Sequence, residues 1–73
     1  MIFESKLKRL GFTDKEIAVY IALLELGRGT AIAIADKAGI KRPTAYLVLS
    51  DLRRKGLVYN IPNDKRQIFK AEN

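Results

Sequence analysis

The chain has 73 residues, no cysteine and no histidine, and 14 lysines and arginines against 8 acidic residues, for a formal charge of +6. The length predicts one domain, residues 1–73, with a single economical core. The missing residue types exclude a disulfide framework, a thiolate nucleophile, a Cys/His zinc site and the commonest neutral-pH general base. A small binding module with a basic surface remains.

The charge is placed unevenly. Residues 1–36 balance Lys6, Lys8, Arg9, Lys15 and Arg28 against Glu4, Asp14, Glu16, Glu25 and Asp36. Residues 37–73 set Lys37, Lys41, Arg42, Arg53, Arg54, Lys55, Lys65, Arg66 and Lys70 against Asp51, Asp64 and Glu72, so the whole excess lies there. That asymmetry suggests a face for a polyanion; the alternative is a solvated surface that is basic for solubility. No uncharged run exceeds eight residues, against the roughly twenty that a membrane span needs, and the charged N-terminus has no signal-peptide apolar region. No membrane partner is expected, and the lack of cysteine fits a reducing cytoplasm.

Phe3, Leu7 and Leu10 share one face of a short first helix stopped by Gly11. Thr13 followed by Glu16 is a capping box, with Phe12 and Ile17 placed for a hydrophobic staple. The second helix then presents Ile17, Tyr20, Ile21 and Leu24, widened by Ala18, Val19 and Leu23, and ends at Gly27. Arg28-Gly29-Thr30 is long enough only for a turn or a stub of strand. No strand precedes it and no Lys-Ser/Thr follows, so it is not a phosphate loop.

Thr30 is placed to cap a third helix whose inner face is Ala31, Ile34, Ala35 and Ala38, with Gly39 ending it and Ile40 turning back to the core. A fourth helix opens near Pro43 and buries Ala45, Val48, Leu49 and Leu52. Its outer face carries Pro43, Leu47, Ser50 and Arg54, with Thr44, Tyr46 and Asp51 on the flanks; Lys55 falls in its last turn and Gly56 closes it. Leu57–Ile61 and Gln67–Ala71, around a Pro62-Asn63-Asp64 turn, form a β-hairpin.

Two helices joined through a tight Gly-containing turn and followed by a hairpin describe a winged helix-turn-helix: mainly α with a small β-hairpin, four helices and then a two-stranded wing. The helix-turn-helix is expected at about 30–55 and the wing at about 57–71. Alanines on the third helix allow a close crossing, so that the fourth can project its outer face into a major groove. Lys65 and Arg66, near the hairpin tip, are placed for phosphate or the minor groove.

Three stretches, residues 10–16 (Leu-Gly-Phe-Thr-Asp-Lys-Glu), 19–27 (Val-Tyr-Ile-Ala-Leu-Leu-Glu-Leu-Gly) and 53–58 (Arg-Arg-Lys-Gly-Leu-Val), resemble the DNA-binding domain of TrmB-type regulators, sugar-responsive transcription factors of archaea and bacteria. The resemblance spans roughly residues 7–71. It implies a double-stranded DNA-binding transcriptional regulator, usually a homodimer, with its recognition helix at about Pro43–Lys55.

Three features depart from that pattern. Such regulators usually continue into a coiled-coil helix and a sugar-binding domain, whereas this sequence stops at Asn73 after the expected wing, so no effector-binding residue carries over. Leu47 stands where a polar residue is more usual, and suits either a thymine methyl or a protein interface. Pro43 replaces a polar helix-start residue, with the loss of a side-chain cap and a backbone N–H.

The candidate DNA-binding residues are Lys41, Arg42, Thr44, Tyr46, Leu47, Ser50, Arg54, Lys65 and Arg66. Tyr46 is also a candidate packing residue with its hydroxyl at the edge. Phe3, Phe12, Tyr20 and Phe69 are expected in or beside the core, and Ile2, Ile32 and Leu47 outside it. No carboxylate pair or activated serine suggests catalysis, and no cofactor or metal is expected. The competing readings are a winged-helix protein-interaction module and a non-specific architectural DNA binder.

Overall fold

The computed structural model describes residues 2–62 and 66–72, with side chains from Glu4 onward. Lys65, the Asn63-Asp64 part of the expected turn, and the side chains of Ile2 and Phe3 lie outside this description. The elements are α1 (Ile2–Arg9), α2 (Asp14–Leu26), β1 (Arg28–Gly29), α3 (Ala31–Ala38), α4 (Arg42–Arg54), β2 (Val58–Ile61) and β3 (Ile68–Ala71). This is the expected mainly helical winged helix-turn-helix, with one addition. β1 joins the hairpin, giving an antiparallel sheet of order β1-β3-β2. Arg28 lies opposite Lys70 and Gly29 opposite Phe69, while Val58 to Ile61 pair with Ala71 to Ile68.

Local chemistry sets most helix ends. Thr13 caps α2 in a reciprocal box: the Glu16 N–H donates to Thr13 Oγ1 at 3.1 Å, and the Thr13 N–H donates to Glu16 Oε1 at 2.9 Å. Thr30 Oγ1 accepts from the Ala33 N–H at the start of α3. At the other end of α3, Gly39 takes φ +74°, and the N–H groups of Gly39 and Ile40 both donate to the Ala35 carbonyl. That left-handed residue turns the chain within three residues into α4, and a β-branched side chain there would be strained.

The core lies where α2, α3, α4 and the sheet meet: Val19, Leu23, Ala31, Ile34, Val48, Leu49, Leu52, Val58, Phe69 and Ala71. Ala31, Ala35 and Ala45 are buried, so α3 and α4 approach through small side chains. Phe12 and Tyr20 pack at its edge as expected.

Three expectations need correction. Leu10 does not face the core: α1 stops at Arg9, the chain turns, and Leu10 is left 74% exposed. The buried stripe of α2 is Glu16, Ile17, Val19, Ala22 and Leu23, rotated by about one residue from that expected, with Leu24 outside. α2 is apolar on nearly every side, so only its neighbours determine which side is covered. Lys55 is the C-cap residue after α4 and not in its last turn, because the helix ends at Arg54 and the chain turns away through Gly56 at φ +78°.

Candidate nucleic-acid interface

α4 is held at both edges. Its buried row of Ala45, Val48, Leu49 and Leu52 leaves the opposite row, Pro43, Leu47, Ser50 and Arg54, facing outward. At its C-terminal end the Lys55 ammonium donates to Glu16 Oε2 at 2.8 Å and lies 4.7 Å from the centre of the Phe12 ring. Glu16 is only 5% exposed. The Lys55 hydrogen bond first, and the Thr13 N–H second, hold its carboxyl below the usual carboxylate range, against the opposing effect of burial. One carboxylate thus caps α2 and anchors the end of α4. On the wing side, the Arg53 guanidinium donates to Asn60 Oδ1 of β2 at 2.6 Å.

This exposed tie joins α4 to the sheet. A double-mutant cycle on Arg53→Ala and Asn60→Ala is expected to give a coupling of about 1 kcal/mol in chemical denaturation. Strict additivity would show that the tie contributes nothing in solution.

The candidate contact residues fall into two groups along a helix about 18 Å long from Arg42 to Arg54. At the N-terminal end Lys41 and Arg42 are exposed, and Lys41 offers no side-chain cap, in keeping with the expected loss at Pro43. Thr44 is half-buried. Tyr46 is 50% exposed, more than a packing residue requires, and borders a groove with Thr30, Ile32, Arg66 and Gln67. Arg66 is exposed where the chain enters β3, so recognition helix and wing meet across that groove. Leu47 and Ile32 are outside the core, at 70% and 43% exposure.

Toward the C-terminal end, Arg54 pairs with Asp51 and donates a long hydrogen bond to Ser50 Oγ at 3.5 Å. Arg54 is thus engaged on its own helix by both neighbours. Lys41, Arg42 and Arg66 have no ion pair among the described residues.

Some cations and polar groups take their places only through the fold. Gln67 borders the groove; elsewhere, on the sheet, strand pairing sets Arg28, from the charge-neutral half of the sequence, beside Lys70. Strand register over more than forty residues leaves no local signal in the sequence. Among the described residues no helix is long and apolar enough to cross a membrane.

Four helices, a tight turn between the last two, and a sheet extending beyond them define a winged helix-turn-helix. Residues 7–73 match the model of the family described as sugar-specific transcriptional regulator TrmB, and the chain belongs to that family. It is 42% identical over 53 residues to the HTH-type sugar sensing transcriptional regulator TrmBL1 of Pyrococcus furiosus, an alignment covering 73% of this chain and 16% of the relative. The chain therefore spans only a small part of that relative's length.

Among solved structures it is similar to TrmBL2, an archaeal chromatin protein with a novel mode of DNA binding. The TM-score is 0.85 at 24% identity, over 96% of this chain and 27% of that one. It is also similar to the Zalpha domain of Carassius auratus PKZ in complex with Z-DNA, with TM-score 0.71 and 26% identity over 80% of this chain and 92% of that one.

Proposed function

We propose that this chain is the DNA-reading unit of a TrmB-family transcription regulator. α4 enters the major groove, and the wing lies on the backbone or in the minor groove. Lys41, Arg42 and Arg66 around the exposed face of a recognition helix carry this reading. Surface cations with no ion pair among the described residues are suited to displacing counterions from phosphates, and a helix of this width fits a major groove. Two copies on a two-fold duplex are the proposed assembly, following the symmetry such regulators use. No catalytic role is proposed.

The test is a gel-shift titration of the chain on double-stranded DNA at two salt concentrations. Neutralising about four phosphates predicts a roughly hundredfold loss of affinity between 50 and 200 mM salt. Binding that ignores salt, or no binding at the lower concentration, overturns the proposal. The exposure of Leu47 and Ile32 favours a second reading, a protein-interaction module. Loss of a protein complex or dimer in Leu47→Asp, with DNA affinity unchanged, would select that reading.

A further inference from the structure

The outward row of α4 has few free hydrogen-bonding groups with which to read bases. Ser50 is half-buried and its Oγ accepts a long hydrogen bond from Arg54, leaving its own O–H as the one free donor of the row; the Arg54 guanidinium is paired with Asp51, and Pro43 has no donor. Between them the row presents Leu47, 70% exposed near the middle of the helix. Tyr46 beside it and Ile32 from α3 extend this apolar surface toward the wing.

The strip is ringed by cations. Lys41 and Arg42 stand at the start of α4 and Arg66 across the groove, all exposed and without an ion pair among the described residues. An apolar protein partner docking here would desolvate those cations without compensation. A duplex compensates them with phosphates. It also offers one apolar group on its major-groove base edges, the thymine C5-methyl.

We infer that Leu47, with Tyr46 at its side, selects thymine methyl groups, so that A·T pairs at the centre of the site are read by apolar contact and not by hydrogen bonds. This specificity rests on the DNA-binding function proposed above. It assigns the central position to contact with a methyl group and leaves orientation on the duplex to the surrounding cations.

The experiment uses the 73-residue chain. Duplexes are selected from a random pool at low salt, and the preferred one is resynthesised with deoxyuridine replacing thymine at one position at a time. The change removes one methyl and leaves every base-pairing group in place. Fluorescence anisotropy is expected to show about a fourfold loss of affinity for each methyl that Leu47 covers. Leu47→Ala is expected to bind the thymine and deoxyuridine duplexes equally. Because Leu47 lies outside the core, the variant should keep the helical circular dichroism and melting temperature of the parent, and Leu47→Met should retain a preference for thymine.

Equal binding of the parent to thymine and deoxyuridine at every position, with salt-dependent DNA binding intact, overturns the inference and leaves the DNA-binding proposal standing. A deoxyuridine penalty that persists undiminished in Leu47→Ala also overturns it, since another residue then makes the contact. Failure to bind any duplex at low salt overturns both.

Discussion

Glu16→Ala is expected to lower the melting temperature by about 10–20 °C, corresponding to a loss of about 2–3 kcal/mol in a domain of this size. The substitution removes two interactions made by one carboxylate. Oε1 accepts the Thr13 N–H in the capping box, and Oε2 accepts the Lys55 ammonium. Loss of the cap costs about 1 kcal/mol. The charge-assisted bond to Lys55 supplies the rest, at the lower end of its usual range because Lys55 is 44% exposed on its side chain. Glu16→Gln keeps a group able to accept from Thr13 and is expected to recover roughly a third of the loss.

The pH dependence distinguishes the charge from the cap. The Glu16 carboxyl is held below the usual carboxylate range by Lys55 first and by the Thr13 N–H second. A carboxyl depressed in the folded state stabilises fully above its unfolded pKa, and the contribution is lost as pH falls through the folded value. The parent should therefore lose extra stability below about pH 4, whereas Glu16→Gln has no such component. Melting curves between neutral and strongly acidic pH check this. Parallel acid profiles for the two proteins would show that Glu16 is not an acid-sensitive group. Functionally, the same bond fixes the end of α4, so its loss should reduce DNA affinity through the orientation of the helix, with no residue at the interface changed.

This anchor also marks how far the sequence is legible. Thr13 and Glu16 are three residues apart, so their capping box can be read directly, as can the Thr30 cap and the Gly39 turn. The faces of α3 and α4 are legible because each has one apolar side and one polar side. Lys55 meets Glu16 across 39 residues, and nothing in either neighbourhood announces the pair. From the sequence, Lys55 looks like a residue suited to a helix dipole.

The same limit explains α2, whose apolar residues surround the helix and give no preferred side. It explains Leu10 as well: a spacing that fits a helical face carries no meaning once α1 has stopped one residue earlier. At the interface, patterning identifies Leu47 as an outward residue and Arg42 as a cation at the helix start. It also allows the Asp51–Arg54 pair, since a three-residue spacing on one helix brings the two side chains together, but it does not decide whether Arg54 stays in that pair or faces a ligand. Nor does it bring Tyr46 and Arg66 together, since the fold of the wing does that.

Asp51→Asn is expected to tighten binding to a selected duplex by about tenfold at low salt and to steepen the salt dependence by about one unit. Asp51 is the one acidic residue of α4 and its carboxylate occupies Arg54, so the two form a neutral pair beside the proposed groove face. Releasing Arg54 adds one cation within reach of phosphate. The fold should tolerate the change, because an exposed pair three residues apart contributes little and a carboxylate in the C-terminal half of a helix opposes its dipole. Arg54→Ala removes the other half of the pair and exposes Asp51 to the phosphates, so it should weaken binding by a similar factor. The double variant Asp51→Asn/Arg54→Ala then separates two roles for Arg54. If the pair acts as a neutral unit, the double variant should bind within about twofold of the parent, since its net charge is unchanged. If Arg54 leaves Asp51 on binding to contact a base or a phosphate, the double variant should remain weaker than the parent. Arg42→Ala has no ion pair to compensate for its loss, so its effect should be a uniform weakening across sequences with a shallower salt slope.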